Sequence, residues 1–244
     1  LNSGELKWKT NIKSSLFTNH NTNSPILWQG IIAPDTKLTE YIFYGAQSIN
    51  CIRSEDGALR WSTEVVQNEG EITNLMYTSS PVISSNSNTS SLYVADFWGK
   101  VYCYNIQNGK KRWAYNAGGS LGTTDSLLLY KNWLYYAAYD ATKRNDMRFC
   151  CVDVSGINPT MTWSYSINFT KIDFVLYPDV SPCCLLEKSR DEALVYFGTK
   201  DGRLFCFKHM YPPSGNTGKG NVAPVWMYQF NGSIYEAPVI FGNQ

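Results

Sequence analysis

Cysteine is the residue type with the clearest chemical potential in this chain of 244 residues, which contains seven of them. Two pairs are adjacent in sequence, Cys150-Cys151 and Cys183-Cys184, and both lie in segments predicted as strands. Because neighbouring strand residues point to opposite faces, neither pair can close a disulfide without distorting the peptide. A bridge between Cys150 and Cys184, which we expect to face neighbouring sheets, is the better disulfide candidate and requires an oxidising compartment. The odd total leaves at least one thiol unpaired within a monomer, or paired outside it.

The other residues that could support catalysis or bind a metal are scattered. Both histidines, His20 and His209, fall in polar segments rich in Gly or Asn, where we expect solvated loop residues rather than a metal site or a catalytic triad. Five aspartates occupy predicted loop positions without forming a cluster of ligands, and we interpret them as turn residues: Asp96, Asp140, Asp173, Asp179 and Asp201. The sequence contains no motif typical of nucleotide-binding loops, zinc proteases or serine hydrolases.

Three Asn-x-Ser/Thr sequences could accept N-linked glycans, at Asn88, Asn168 and Asn231. All three fall in predicted loops between strands, where a glycan would not disturb folding. They are available for glycosylation if the source secretes the protein through a glycosylating pathway. We expect a secreted or extracytoplasmic location.

Composition favours a folded chain rich in strands. Hydrophobic residues make up 43% and charged residues 17%, which excludes a disordered chain, and the 15% aromatic share favours strands over helices. The net charge of +1 provides no overall attraction for nucleic acid or an anionic membrane. No apolar run approaches the roughly 18 to 20 residues of a transmembrane helix. The chain opens with Leu1 rather than Met, so we expect a processed or excerpted sequence.

The elements that must position these residues repeat along the chain. Tryptophan recurs in similar segments, such as "DGALRWST" and "NGKKRWAY", at five positions: Trp8, Trp61, Trp113, Trp163 and Trp226. A second marker, as in "SSPVIS" and "VSPCCL", also recurs, and two more strand-like runs lie between the markers. Each period of 40 to 50 residues therefore contains four short strands, which is typical of a β-propeller blade.

Blade stacking explains why one residue type recurs at each place. A four-stranded sheet cannot bury both of its faces alone, so a tryptophan at a fixed position can fill each gap between stacked blades. Asp56-Gly57 and Asn108-Gly109 supply the positive φ of the turn before the tryptophan strand. Four cysteines occupy one equivalent place, where we expect small, buried and inert thiols: Cys51, Cys103, Cys151 and Cys206.

We predict an all-β fold, a β-propeller of four-stranded antiparallel blades. The whole range 1–244 is predicted as one propeller domain or a segment of one, with blades that end near the five tryptophans and a partial blade at 232–244. The chain begins in a tryptophan strand and stops after a strand of the second marker. We therefore expect four complete blades, and either a longer natural protein or another chain that completes the ring.

The order S-P-V, then L-Y-V, then G-x-V/L-Y/F, then G-x-x-x-W resembles the quinoprotein repeat of propellers of the pyrroloquinoline quinone type, over nearly the whole chain. The resemblance implies tryptophans that dock between blades. In its dehydrogenase members it also implies a quinone held with calcium, a catalytic aspartate and sometimes a disulfide between adjacent cysteines. Because the aspartates of this chain form no ligand cluster, we predict no cofactor; the alternative is pyrroloquinoline quinone with calcium.

The preferred functional prediction is a non-catalytic extracytoplasmic propeller that binds a protein partner or copies of itself. Candidate contact residues are aromatic side chains expected in exposed loops, namely Phe97, Trp98 and Tyr211. No nucleic acid partner and no transmembrane segment are expected. Two alternatives stay open: a segment of a quinone-dependent dehydrogenase, and a propeller appended to a larger multidomain enzyme.

Overall fold

Four antiparallel four-stranded sheets make up the computed structural model, which describes residues 5–11, 24–64, 79–84, 90–96, 99–116, 127–139, 146–169, 180–211 and 220–241. These sheets are the predicted blades, and the all-β prediction is confirmed. Within the described ranges there is no helix, and so none that is long and apolar enough to cross a membrane.

The strands of each blade pair in sequence order. Blade 1 contains β1 (Ile26–Gly30), β2 (Thr39–Gly45), β3 (Ser48–Arg53) and β4 (Leu59–Glu64). Blade 2 contains β5 (Val82–Ser84), β6 (Ser91–Ala95), β7 (Lys100–Asn105) and β8 (Lys111–Asn116). Blade 3 contains β9 (Leu128–Tyr130), β10 (Trp133–Tyr139), β11 (Asp146–Asp153) and β12 (Thr160–Asn168). Blade 4 contains β13 (Cys184–Ser189), β14 (Glu192–Gly198), β15 (Arg203–Met210) and β17 (Trp226–Gln229).

One short strand departs from this regular order. β16 (Gly220–Asn221) lies in the insertion between β15 and β17 of blade 4, yet it pairs in parallel with β12 of blade 3. The backbone N–H of Val222 also donates to the Ser164 carbonyl at 3.3 Å. Residues 220–222 therefore cover the outer edge of blade 3 at Trp163 and Ser164.

The blades group into two compact units, each with its own core. The first unit contains blades 1 and 2 and the second contains blades 3 and 4, with the division inside β8 between Ala114 and Tyr115. Middle strands are buried on both faces, as the all-buried β6 shows, because a strand between two others in a stacked sheet meets side chains on each side. The prediction of one domain over 1–244 stays a prediction.

In blades 2 and 4, a serine hydroxyl just before the first strand bonds to the end of the second strand. Ser79, just before Ser80-Pro81, accepts a hydrogen bond from the backbone N–H of Ala95 at 2.7 Å. In blade 4, Ser181 accepts one from Gly198 N–H at 2.8 Å. Each serine thus satisfies a buried backbone donor at the end of the second strand, where the regular ladder stops.

The first two tryptophans contact the next blade through the same pair of interactions. Trp8 Nε1 donates to the Ser54 carbonyl at 2.8 Å, and Trp61 Nε1 donates to the Ile106 carbonyl at 3.0 Å. Each acceptor lies three residues before a glycine with positive φ, which is 73° at Gly57 and 66° at Gly109. A Cβ atom at either glycine would lie within 2.7 Å of the indole. Glycine is therefore needed for the turn and for the close approach of the ring.

The two predicted end strands are absent. Residues 5–11, which include Trp8, and the predicted partial blade in 232–241 form no strand. A strand needs a hydrogen-bonded neighbour along its length, and the described residues offer none to these segments. They are held by single contacts instead, as when Ile234 N–H donates to the Thr199 carbonyl at 3.1 Å.

We expect Gly109→Ala to lower the free energy of unfolding of the first unit by about 2 kcal/mol or more, because alanine must take a left-handed backbone and meets the Trp61 ring. Urea denaturation followed by tryptophan fluorescence measures the effect. Gly232→Ala is the matched control, since nothing lies within 4 Å of its added Cβ. Equal losses for the two variants would contradict this account of the turn.

Candidate functional site

The densest group of chemically capable side chains lies inside the second unit, around His209 of β15. The Tyr135 hydroxyl lies 2.9 Å from His209 Nδ1, Trp163 Nε1 lies at 3.3 Å and the Cys151 sulfur at 3.4 Å. Tyr211 stacks on the imidazole at a ring-centroid distance of 4.3 Å. We call these five residues the His209 cluster.

The prediction that His209 is a solvated loop residue is wrong, because only 2% of it is exposed. β15 continues to Met210, and Phe205, Phe207 and His209 alternate onto the same buried face. That alternation was visible in the sequence "RLFCFKHM". Because a polar segment follows, the prediction ended the strand before His209, whereas β15 continues to Met210.

The cluster fixes the protonation of the imidazole. Indole N–H can only donate a hydrogen bond, so the bond from Trp163 makes His209 Nδ1 the acceptor and leaves the proton on Nε2. His209 Nε2 is buried and has no hydrogen-bond partner among the described residues. Burial, together with the positive charge of Lys131, lowers the pKa of His209 from 6.5 to about 4, while Asp153 opposes the change. The imidazole is therefore neutral at physiological pH, and its lone pair is already engaged.

Tyr211 is a second correction. It was predicted as an exposed contact residue, but only 5% of it is exposed. The centroid of its ring lies 4.5 Å from that of the Trp133 ring, and its hydroxyl lies 3.1 Å from the Tyr135 hydroxyl. Lys131 covers the outer side, with Nζ 4.3 Å from the Tyr211 ring centroid. Tyr211 directly follows β15 and keeps the inward direction of His209, which is why it closes the core.

The predicted bridge between Cys150 and Cys184 is not formed, and all seven thiols are free. Cys151 lies in the core shared by blades 3 and 4, and Cys183 packs against it. Since strand neighbours point to opposite faces, Cys150 and Cys184 both turn away from this core and cannot meet. The sequence indicated that the two cysteines of each adjacent pair point to opposite faces of the sheet. It did not indicate which cysteine of each pair faces the neighbouring blade.

Burial favours the protonated form of the thiols. Burial raises the pKa of Cys51 and Cys150 to about 12 and that of Cys103 to about 11, and it raises the pKa of Cys151 well above its ordinary value. Each strand cysteine is a small residue beside a large one. The structure pairs Cys51 with Trp61, Cys151 with Trp163 and Cys206 with Trp226 across neighbouring strands.

The aspartates available for a cation do not converge. Asp96 is buried and accepts a hydrogen bond from the Tyr102 hydroxyl at 2.7 Å. Asp201 pairs with Arg203 at 2.6 Å in the turn before β15. In the part of the chain that the structure describes, no three side chains of His, Cys, Asp or Glu are grouped as metal ligands. The oxygen ligands of a calcium and quinone site are therefore not assembled by these residues.

Several predicted site residues lie outside the described ranges: His20, Asn88, Phe97, Trp98, Asp140, Asp173 and Asp179. Of the remaining glycan acceptors, Asn231 is exposed in the segment after β17, as predicted. Asn168 is exposed as well, but it is the last residue of β12 rather than a loop residue. The strand continued because Ile167 still fills the core of the second unit.

An exposed apolar segment at the end of blade 4 is the feature that the sequence did not single out. We call residues 225–241 the blade 4 strip. Its exposed large side chains are Val225, Trp226, Met227, Tyr228, Phe230, Tyr235, Val239 and Phe241. Trp226 is 43% exposed, whereas Trp163 in the equivalent place of blade 3 is 5% exposed. Tyr228 and Phe230 contact each other edge to face at 4.7 Å, which holds both rings at the surface.

Comparisons with known proteins identify the architecture. No protein-family model and no curated protein matches the sequence. Among solved structures, the chain resembles BamB from Moraxella catarrhalis with a TM-score of 0.59 and 13% identity, over 97% of this chain and 59% of that chain. The fold is a β-propeller. It also resembles quinohemoprotein alcohol dehydrogenase from Comamonas testosteroni with a TM-score of 0.54 and 13% identity, over 82% of this chain and 40% of that chain.

These similarities establish the propeller fold alone, because the identities are so low. The chain spans 59% and 40% of the lengths of the two proteins that it resembles. The activity of either protein is therefore not transferred to this chain by the resemblance.

We expect the stability of the second unit to fall as the pH decreases from about 6.5 to about 4, because the unfolded chain binds a proton there that buried His209 does not. Stability is full above pH 6.5, and the loss attributable to this group is about 3 kcal/mol. A histidine NMR titration should place the midpoint of His209 near pH 4.

The matched comparison is the pH dependence of urea unfolding in H209Q against H20Q, which removes the other histidine. H209Q should lose most of the pH dependence in this window and H20Q should retain it. An NMR midpoint of His209 near 6.5, or an unchanged pH dependence in H209Q, would show that the imidazole is solvated.

Proposed function

We propose that this chain is a non-catalytic β-propeller module that binds protein through the blade 4 strip. The observation that carries the proposal is the group of exposed large apolar side chains in this segment, because a soluble surface ordinarily scatters such side chains singly. Trp226 stands in the place where the next blade covers Trp163 in blade 3, so the partner that covers it here is a further blade or another protein. Trp226 and Tyr228 are the strongest candidates for contact residues, since exposed aromatic rings contribute most to binding energy at protein interfaces.

The state of the interior supports a non-catalytic role. The His209 imidazole is neutral, buried and engaged, and the buried thiols carry raised pKa values. A catalytic base or nucleophile needs the opposite: a pKa near the working pH and access to a substrate. In this chain, the buried histidine and cysteines therefore contribute to the packing of the core.

The quinone-dependent dehydrogenase, in which this chain would be one segment, is the alternative proposal, and the likeness to a quinohemoprotein alcohol dehydrogenase concerns the fold alone. Asp96 and Asp201 are already committed to Tyr102 and Arg203 and lie in different blades. They do not fit a shared calcium site. A propeller appended to a larger enzyme would use the blade 4 strip as its contact surface in the same way.

We propose an extracytoplasmic location for the protein. The exposed side chains of Asn168 and Asn231 could carry glycans without disturbing either core. Denaturing mass spectrometry of the protein from its natural source would measure any covalent glycan.

Protein purified from its natural source without added cofactor should have the same mass under native and denaturing conditions, apart from whole protein subunits. Native mass spectrometry provides the measurement. Release of a quinone together with calcium on denaturation would overturn the non-catalytic proposal and favour the dehydrogenase.

A photo-crosslinking amino acid in place of Tyr228 should form protein adducts in the natural source, because that side chain is 59% exposed in the blade 4 strip. The matched control replaces Leu59 of β4, which is 56% exposed in blade 1. Mass spectrometry of the adducts identifies the attached protein. The proposal fails if position 228 forms no adduct, or forms the same adducts as position 59.

A further inference from the structure

Among the residues that the structure describes, the outer edge of β17 presents unpaired backbone groups. β17 pairs with β15 along its length, and Phe230 N–H donates to the Gly202 carbonyl at 2.8 Å just beyond it. Because backbone groups alternate in an antiparallel ladder, those of Tyr228 turn toward β15 and those of Met227 and Gln229 turn away from it. No strand in the described part of the chain lies on that side of β17.

The equivalent edges of the other three blades are protected. The edge strand β4 ends in exposed Glu64, and β8 carries exposed Lys111 and Arg112, which are charges that oppose strand addition. The edge of β12 carries no charge but is covered by β16. β17 carries no charge, no residue in the described ranges pairs with its outer edge, and no charged residue occurs from 220 to 235.

The coverage of β12 shows that a blade edge of this protein accepts an additional strand. This contact pairs Gly220 with Trp163 and Asn221 with Ser164. Gly220 has no side chain, so the added strand is held through its backbone. Stacking of another sheet against the face of blade 4 would leave the β17 edge open, because stacked sheets meet through their side chains. The open edge is thus separate from the face that Trp226 occupies.

β17 is complementary to itself. In an antiparallel pair centred on Tyr228, Met227 of one copy lies opposite Gln229 of the other. Each copy then offers the N–H and C=O groups of two residues, so four backbone hydrogen bonds form. The two Tyr228 side chains, each 59% exposed, come together at the centre as a cross-strand pair. No charges oppose each other across the two-fold axis.

We propose that β17 of one chain pairs antiparallel with β17 of a second copy, which joins two blade 4 sheets into one continuous sheet. This inference rests on the proposed function, since it specifies a second copy as a partner of the blade 4 strip. The pairing is isologous, so it closes as a dimer rather than extending into a filament.

The edge is held in position before pairing. Gln229 Nε2 donates to the Asp201 carbonyl at 2.8 Å and to the Phe230 carbonyl at 2.9 Å, which fixes the end of β17 to the turn before β15. Val225 N–H donates to the Cys206 carbonyl at 2.7 Å at the other end. An edge ordered in advance loses little conformational entropy when a second strand adds to it.

The proposal is tested with two double variants that differ only in charge sign, M227K/Q229K and M227K/Q229E. In the proposed register the first places like charges opposite each other and the second places opposite charges. Sedimentation velocity over a range of concentrations should show reversible dimers for the unchanged protein and for M227K/Q229E, with at least tenfold weaker association for M227K/Q229K. Both variants lose the Gln229 side-chain contacts, but residue 229 pairs with Arg203 of β15, so lysine and glutamate there also differ within one chain. Urea unfolding of each variant therefore checks that both are folded under the conditions of the sedimentation measurement.

A monomer at all concentrations, or equal association of the two variants, would overturn the proposed pairing. The crosslinker at position 228 distinguishes failure of the proposed β17 pairing from failure of the proposed protein-binding function. Adducts that join residue 228 of one copy to β17 of another copy support the pairing. Adducts to a different protein overturn the pairing but leave the proposed function standing, and the absence of adducts overturns both.

Discussion

The contact between an indole ring and the next sheet is the interaction on which the rest of this structure depends. A four-stranded sheet has two apolar faces, and neither is covered unless a neighbouring sheet stacks against it. Trp8 and Trp61 fill that gap and anchor their N–H groups to backbone carbonyls of Ser54 and Ile106. The glycine after each carbonyl follows from this contact, because any side chain there would collide with the ring.

Blade 4 replaces the carbonyl acceptor with a side chain. Trp163 donates to the imidazole of His209, so a residue type associated with catalysis becomes part of the packing between blades 3 and 4. The cysteines follow the same logic, because a small side chain opposite each tryptophan leaves room for the ring. Burial then keeps these groups neutral, since a charge without solvent or a partner is costly in such a core.

The open surface of the molecule has the opposite character. Charges on β4 and β8, and the added strand β16, prevent unwanted pairing at three blade edges. The described residues give β17 neither protection, and its aromatic side chains are exposed beside backbone groups that no described strand pairs with. A strand with an exposed apolar face and an open edge suits a binding role, and we therefore propose that this chain binds its partner at blade 4.

The sequence by itself determined the repeat, the four strands in each period and the propeller fold, because alternation and turn chemistry are local properties. It also indicated that the recurring cysteines are small core residues. The tertiary structure decided the direction of each side chain at the ends of strands. His209 and Tyr211 became buried because β15 runs further than its polar sequence suggested, and Cys150 turned away from Cys184 because a strand face is chosen by the stacked neighbour. Exposure of the blade 4 strip is likewise a property of what packs against it, which no local pattern encodes.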